Sequence, residues 1–353
     1  MLNLLFTFLI IPFVPVFFYG GFFDDGRLND IAQSPQSVFS SFSVGESVLG
    51  ATSEGTSELS SQSDGFQSCN LFPVYSGSAE YVPERTKDYV DTKIFAGSSV
   101  AIDVESGTIL HYDNGRKRTQ VASLTKMMTA VLVMENIKDL NEKVKITSEA
   151  LAVPGTIVGC PTSTFCNANR MYRGEEVRAV DLLKVMLLNS ANDAATALAI
   201  HMTGSSSDFA NMMNDKAKSL GLKDTHFCTP SGLEIDGHED ECYSSAYDLA
   251  RIASYSLKYK QIWDIMKIPD GQFYSVDGKY MHEMKNTDML LDQLPNCIGG
   301  KTGFTPLAGK SLMLGSTDPT GKHKVISVIL NDESRWDDMK KLVNWIYNNY
   351  EWR

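Results

Sequence analysis

The chain has 353 residues, 43% of them hydrophobic and 21% charged, with a formal net charge of −11. That length holds one large domain or two small ones, with apolar content ordinary for a globular core. The acidic balance argues against nucleic acid as a partner, because neutralising phosphates takes clustered Lys and Arg.

Residues 1–23 are almost wholly apolar, with Asn3 and Thr7 as polar exceptions and no charge before Asp24. A helix of this length can cross a hydrocarbon core about 30 Å thick. A membrane anchor is therefore expected at residues 1–23, with the rest of the chain outside the cytoplasm. The alternative is a secretory signal segment whose cleavage releases the protein, although neither a basic start nor an A-x-A-like site accompanies it. Residues 24–85 change character. They are rich in Ser, Gly and acids, with seven acids against one base from Asp24 to Ser68. Such a stretch cannot bury enough apolar surface to offset its ordering entropy, which predicts a flexible linker.

A third region, 86–353, carries the globular domain, with order expected from near Tyr89. Ser99–Val104, a turn at Glu105-Ser106-Gly107, and Thr108–Tyr112 read as a β-hairpin. A helix follows from about Ala122, with Leu124, Met127, Met128, Val131 and Leu132 at helical spacing. Val180–Leu188, Ala191–His201, Asp208–Leu220 and Ser245–Leu257 continue that period. Strand patterns return at Lys301–Thr305, Ser311–Ser316 and Lys324–Leu330, and an amphipathic helix closes the chain from about Glu333 to Tyr350. This order predicts an α+β domain in which the first hairpin joins the last three strands in one antiparallel sheet.

Six cysteines, at 69, 160, 166, 228, 242 and 297, fit a disulfide-bonded extracytoplasmic protein. Cys160 and Cys166 bracket a short loop and Cys228 and Cys242 a polar, turn-rich stretch, which leaves Cys69 for Cys297; free thiols are the alternative. The histidines show no H-x-x-x-H spacing, and no C-x-x-C occurs, so neither a metal nor another cofactor is expected.

Three short strings carry chemistry. In Ser123-Leu124-Thr125-Lys126 the hydroxyl and amine lie three apart on a predicted helix, hence on one face. A serine hydroxyl is a poor nucleophile without an adjacent base. Lysine serves as that base when burial and a second cation lower its pKa, and Lys301 is the candidate cation. In Ser190-Ala191-Asn192, between two predicted helices, Ser190 can relay a proton and Asn192 can clamp a peptide backbone. An N-cap role for Ser190 or Asn192 is the alternative. In Lys301-Thr302-Gly303, Lys301 attracts an anion, the Thr302 hydroxyl binds a carboxylate oxygen, and Gly303 admits a close backbone. Arg335 is a candidate second carboxylate anchor or, equally, a surface arginine in a first helical turn.

Any one of these strings is weak alone; the ordered set is specific. The region from Tyr89 to Arg353 resembles the serine-type D-Ala-D-Ala carboxypeptidases, the low-molecular-mass penicillin-binding proteins of peptidase family S11. The likeness extends over Ala122-Ser123-Leu124-Thr125-Lys126-Met127-Met128-Thr129, Ser231-Gly232-Leu233, Ser244-Ser245-Ala246-Tyr247-Asp248-Leu249-Ala250 and Lys301-Thr302-Gly303-Phe304-Thr305. It implies a β-lactamase/transpeptidase-like fold with an inserted, mostly helical subdomain. It further implies a Ser123 acyl-enzyme on a peptidoglycan stem peptide ending in D-Ala-D-Ala, with Lys126 as base and Ser190 and Lys301 protonating the leaving D-Ala. Backbone N–H groups of Ser123 and Phe304 would form the oxyanion hole, and β-lactams would acylate Ser123.

Three features depart from the family pattern. Ala191 stands where glycine is frequent, Pro154–Tyr172 carries two cysteines, and little chain follows the closing helix, so an anchor is expected at the N-terminus. The rival readings are a serine β-lactamase, a D,D-endopeptidase and a non-catalytic wall-binding homologue. The absence of E-x-x-x-N between Ser190 and Lys301 weighs against the first.

Overall fold

The computed structural model describes residues 79–87, 90–160 and 169–353, all within the unit Phe66–Arg353. In chain order come β1 (Pro83–Arg85), then a hairpin of β2 (Ser98–Asp103) and β3 (Ile109–Asp113). A 3-10 turn, Ala122–Thr125, runs directly into α1 (Lys126–Asn136). The middle of the chain forms β4 (Lys143–Lys145), α2 (Ser148–Leu151), β5 (Glu176–Arg178), α3 (Ala179–Leu188) and α4 (Asn192–Thr203). It continues through α5 (Ser206–Ser219), α6 (Ala246–Ser256) and α7 (Lys260–Met266). Next come β6 (Asp270–Tyr274), β7 (Met281–Lys285), β8 (Cys297–Thr305), β9 (Gly309–Thr317) and β10 (Lys324–Leu330). The chain closes with α8 (Arg335–Asn349) and β11 (Tyr350–Trp352).

The main sheet is antiparallel in the order β3-β2-β10-β9-β8. Successive strand residues point to opposite faces, and both faces are covered. Val100, Ile102, Ile326, Val328 and Leu330 join the core shared with α1, α3, α4 and α6. Ala101, Val325 and Ile329 join a second core with Met339, Leu342, Val343 and Ile346 of α8. Burial on both sides explains why β10 reads as an unbroken apolar run. The helices start where local chemistry directs: Ser205 and Ser245 accept from the N–H groups of Asp208 and Asp248, capping α5 and α6.

The α+β class and the joining of the hairpin to the last three strands match expectation. Several short elements do not. Strand β1 pairs antiparallel with β11, so order begins inside the stretch assigned to a linker. The β4–β5 and β6–β7 ribbons and the seven-residue α7 are further additions. Elements of three to seven residues are too short to display a period.

The membrane expectation is corrected. Among the described residues no helix is long and apolar enough to cross a membrane, and residues 1–23 lie outside them, as does the expected linker up to residue 78. Cys228 and Cys242 form the expected disulfide, with Cα atoms 5.4 Å apart. Cys160 is also disulfide-bonded, while Cys166 and Cys69 lie outside the described residues. The pairing of Cys69 with Cys297 is overturned, because Cys297 is a free thiol. It opens β8 against the second core, and burial pushes its pKa up to about 12.

Candidate active site

The 3-10 turn aims Ser123 and the first residue of α1 at the same point. Lys126 Nζ donates to Ser123 Oγ at 2.8 Å, to Asn192 Oδ1 at 2.8 Å and to the Ser231 carbonyl at 2.8 Å. The side chain is wholly buried. Burial, and secondarily the charge of Lys301, hold its pKa well below the ordinary lysine value.

Asn192 begins α4, and its Nδ2 donates to the Pro154 carbonyl at 2.8 Å, so the amide bridges two parts of the chain. The N-cap position of α4 is Ala191, with no side-chain cap; the capping alternative for Ser190 and Asn192 does not hold. Ser190 instead accepts from Lys301 Nζ at 2.9 Å. Its backbone is left-handed (φ 64°), as is that of Ala122 (φ 47°), the residue before Ser123. Non-glycine residues in this region are strained and cluster at functional sites.

Lys301 lies on β8, 1% exposed. Burial, with Arg335 as the second cause, brings its ammonium down to about 7. The Thr302 hydroxyl meets Thr287 Oγ1 at 2.7 Å. A Cβ on Gly303 would lie 3.0 Å from the Val121 carbonyl oxygen and 3.3 Å from Leu124; the absence of a side chain is what lets β8 abut the Ser123 turn. Phe304 turns outward, 60% exposed. Arg335 Nη1 donates to the carbonyls of Gly303 at 3.0 Å and Ser311 at 3.2 Å. It therefore straps β8 to β9 from the start of α8.

Sequence reasoning missed the groups that contribute through their backbone or from a distance. The Ser231 and Pro154 carbonyls leave no signature in residue type, although Ser231-Gly232-Leu233 stands out as a string. Asp193 accepts from the Val158 and Ala194 N–H groups, and burial raises its carboxyl to about 6. Asp288 is buried beside Gly300, where a Cβ would fall 2.5 Å from its Oδ2. Among the described residues no cluster of potential metal ligands occurs.

A buried lysine on a serine hydroxyl and a second serine on a second buried lysine, beside a five-stranded antiparallel sheet covered on both faces, define a site of the serine acyl-transfer class. The family model for D-alanyl-D-alanine carboxypeptidase matches residues 84–334, and the chain belongs to that family. It is 32% identical over 264 residues to D-alanyl-D-alanine carboxypeptidase DacF of Bacillus subtilis, covering 72% of this chain and 63% of that protein. It is 31% identical to DacD of Escherichia coli over 293 residues, 79% of this chain and 70% of the other. The chain thus spans about two thirds of the length of these relatives. Among solved structures, a penicillin-binding protein of Listeria monocytogenes with ampicillin bound superposes with a TM-score of 0.62 at 28% identity, covering 73% of this chain and all of that one. A D-alanyl-D-alanine carboxypeptidase of Mycobacterium tuberculosis gives 0.65 at 27%, covering 75% and 96%.

Proposed function

We propose that this protein is a serine-type D-Ala-D-Ala carboxypeptidase that trims the terminal D-Ala from peptidoglycan stem peptides in cell-wall synthesis and remodelling. The observation that carries the reading is the Lys126 ammonium position, 2.8 Å from Ser123 Oγ and sealed from water. Burial holds the pKa of this lysine well below its ordinary value, so it sheds a proton readily and then takes that of Ser123 as Oγ attacks the penultimate D-Ala carbonyl. The Oγ–C bond forms while the C–N bond to the last D-Ala breaks. Ser190, hydrogen-bonded to Lys301, hands a proton to the departing amine. Water then releases the shortened peptide and restores Ser123.

Asn192 holds the substrate backbone, while Lys301 and the Thr302 hydroxyl receive the terminal carboxylate. Gly303 leaves room for the peptide beside β8, and the Ser123 and Phe304 N–H groups receive the developing oxyanion. Arg335 contributes positive charge beside Lys301 and ties β8 to β9. We assign these roles to the domain of residues 86–353, extended to include β1. β-Lactams acylate Ser123 as mimics of the same carbonyl.

The test is release of free D-Ala from a pentapeptide, with a penicilloyl adduct on Ser123 by mass spectrometry. Ser123→Ala should lose both, lowering turnover by ~10⁴–10⁶-fold. Persistent turnover in that variant refutes the assignment, and cleavage of a cross-linked dimer in preference to the pentapeptide redirects it to an endopeptidase.

A further inference from the structure

One loop touches both walls of the site. The disulfide between Cys228 and Cys242, 14 residues apart, closes it. Within it, the Pro230 carbonyl accepts from Thr129 Oγ1 of α1 at 2.7 Å, and the Ser231 carbonyl accepts from Lys126 Nζ. Gly232 has φ +82°, and a Cβ there would fall 1.9 Å from the carbonyl oxygen of Ala122. Two residues on, Glu234 Oε1 accepts from Thr305 Oγ1 at 2.5 Å. Thr305 ends β8, and its oxygen is fixed in turn by the Ala308 N–H at 3.1 Å. The same short segment therefore orients the Lys126 amine, buttresses the residue before Ser123, and reaches across to the strand that carries Lys301.

We propose that Glu234 is a positioning residue for acylation: its hydrogen bond to Thr305 pins the middle of the disulfide-closed loop against β8, and so keeps the Ser231 carbonyl where Lys126 is aimed. The inference rests on the reading of Lys126 as the base. The disulfide fixes the ends of the loop at 228 and 242, eight residues beyond Glu234 on one side and six before it on the other; the pin acts between them. Glu234 is three residues from Ser231, a span of about 10 Å at full extension, so slack at one is felt at the other. Ser231 is one of three acceptors on Lys126 Nζ. Without it the ammonium loses its fixed bearing on Ser123 Oγ, and a ~1 Å misplacement of reacting groups costs up to ~10²-fold in rate.

Glu234→Ala and Glu234→Gln are compared with wild type by three readouts: the rate of acylation by penicillin, kcat and KM on a pentapeptide, and the titration of Lys126 followed by NMR on a labelled lysine Cε. The charged groups that act on Lys126, Lys301 and Asp193, are the same in all three proteins. Glu234→Ala should slow acylation and kcat by ~10–100-fold, leave KM within about twofold, and move the Lys126 titration upward as water reaches Nζ. Glu234→Gln keeps an oxygen acceptor and should recover most of each. Thr305→Val removes the same bond from the β8 side and should reproduce the alanine result even where Glu234→Ala folds poorly. Unchanged acylation and unchanged Lys126 titration in both Glu234→Ala and Thr305→Val overturn the proposal, as does a Glu234→Gln variant as defective as Glu234→Ala. If wild type fails to react with penicillin, the carboxypeptidase reading falls, while the Lys126 titration still decides the role of Glu234.

Discussion

The two walls of the cleft bury a lysine each, and they do so by different means. On the helical wall, Lys126 is ringed by neutral oxygens from Ser123, Asn192 and Ser231, drawn from three separate segments. On the sheet wall, Lys301 sits on a single strand between the charges of Arg335 and Asp288, with Ser190 as its one hydroxyl acceptor. Burial dominates at Lys126, and the charge of Lys301 lowers its pKa further, which suits it to act as a base. Burial, with Arg335 lowering and Asp288 raising, brings Lys301 to about 7, close to half-charged at neutral pH, and a substrate carboxylate pulls it to the cationic form. Both lysines are shifted chiefly by burial; what separates their roles is the hydroxyl each one faces, Ser123 or Ser190.

The sharpest way to break this contrast is Lys126→Arg. A guanidinium stays protonated, so acylation by penicillin should fall by ~10³-fold, within the range for loss of a general base. The acid limb of the wild-type pH–rate profile, which reflects protonation of Lys126, should vanish with it. Lys301→Gln comes next, with an expected loss of ~10²-fold in kcat/KM on a carboxylate-bearing peptide. In wild type, kcat/KM should decline as pH rises through about 7, because Lys301 then loses its charge. Lys301→Gln should abolish that decline, and a descending limb that survives the substitution refutes the assignment.

Structural changes probe the helical wall. Gly232→Ala must place a methyl group 1.9 Å from the Ala122 oxygen in left-handed backbone, which should lower stability by about 3 kcal/mol or more in denaturant unfolding. The smallest effect concerns Asp193, whose folded pKa of about 6 lies above the ordinary carboxyl value of 3.8. Between those values the folded state binds more protons, so wild-type stability falls as pH rises from about 4 through 6. Asp193→Asn carries no such dependence, and its melting temperature should gain on wild type by roughly 2–4 °C across that interval.

What was legible in the sequence followed chemistry and period. Ser123, Lys126, Ser190, Asn192 and Lys301 stood out because their side chains carry chemistry, and the joining of the hairpin to the last three strands followed from strongly apolar runs such as Val325–Leu330. Where the contribution is a carbonyl, as at Ser231 and Pro154, residue type is silent. Arg335 shows another case: residue type pointed to a carboxylate, while its Nη1 is bonded to the carbonyls of Gly303 and Ser311, and backbone partners leave no trace in the sequence. The pairing of β1 with β11 joins distant stretches of three residues each, below the length at which alternation is visible.

Ala122 and Ser190 share a further consequence of their left-handed backbone. Glycine at either position would relax the chain locally, so selection for heat resistance alone would favour it there. At Ala122 the same exchange would free the pivot that aims the nucleophile, and at Ser190 it would remove the proton relay itself. At these two sites a sturdier molecule should be a slower one, and engineering for shelf life would erode turnover unless both properties were scored together.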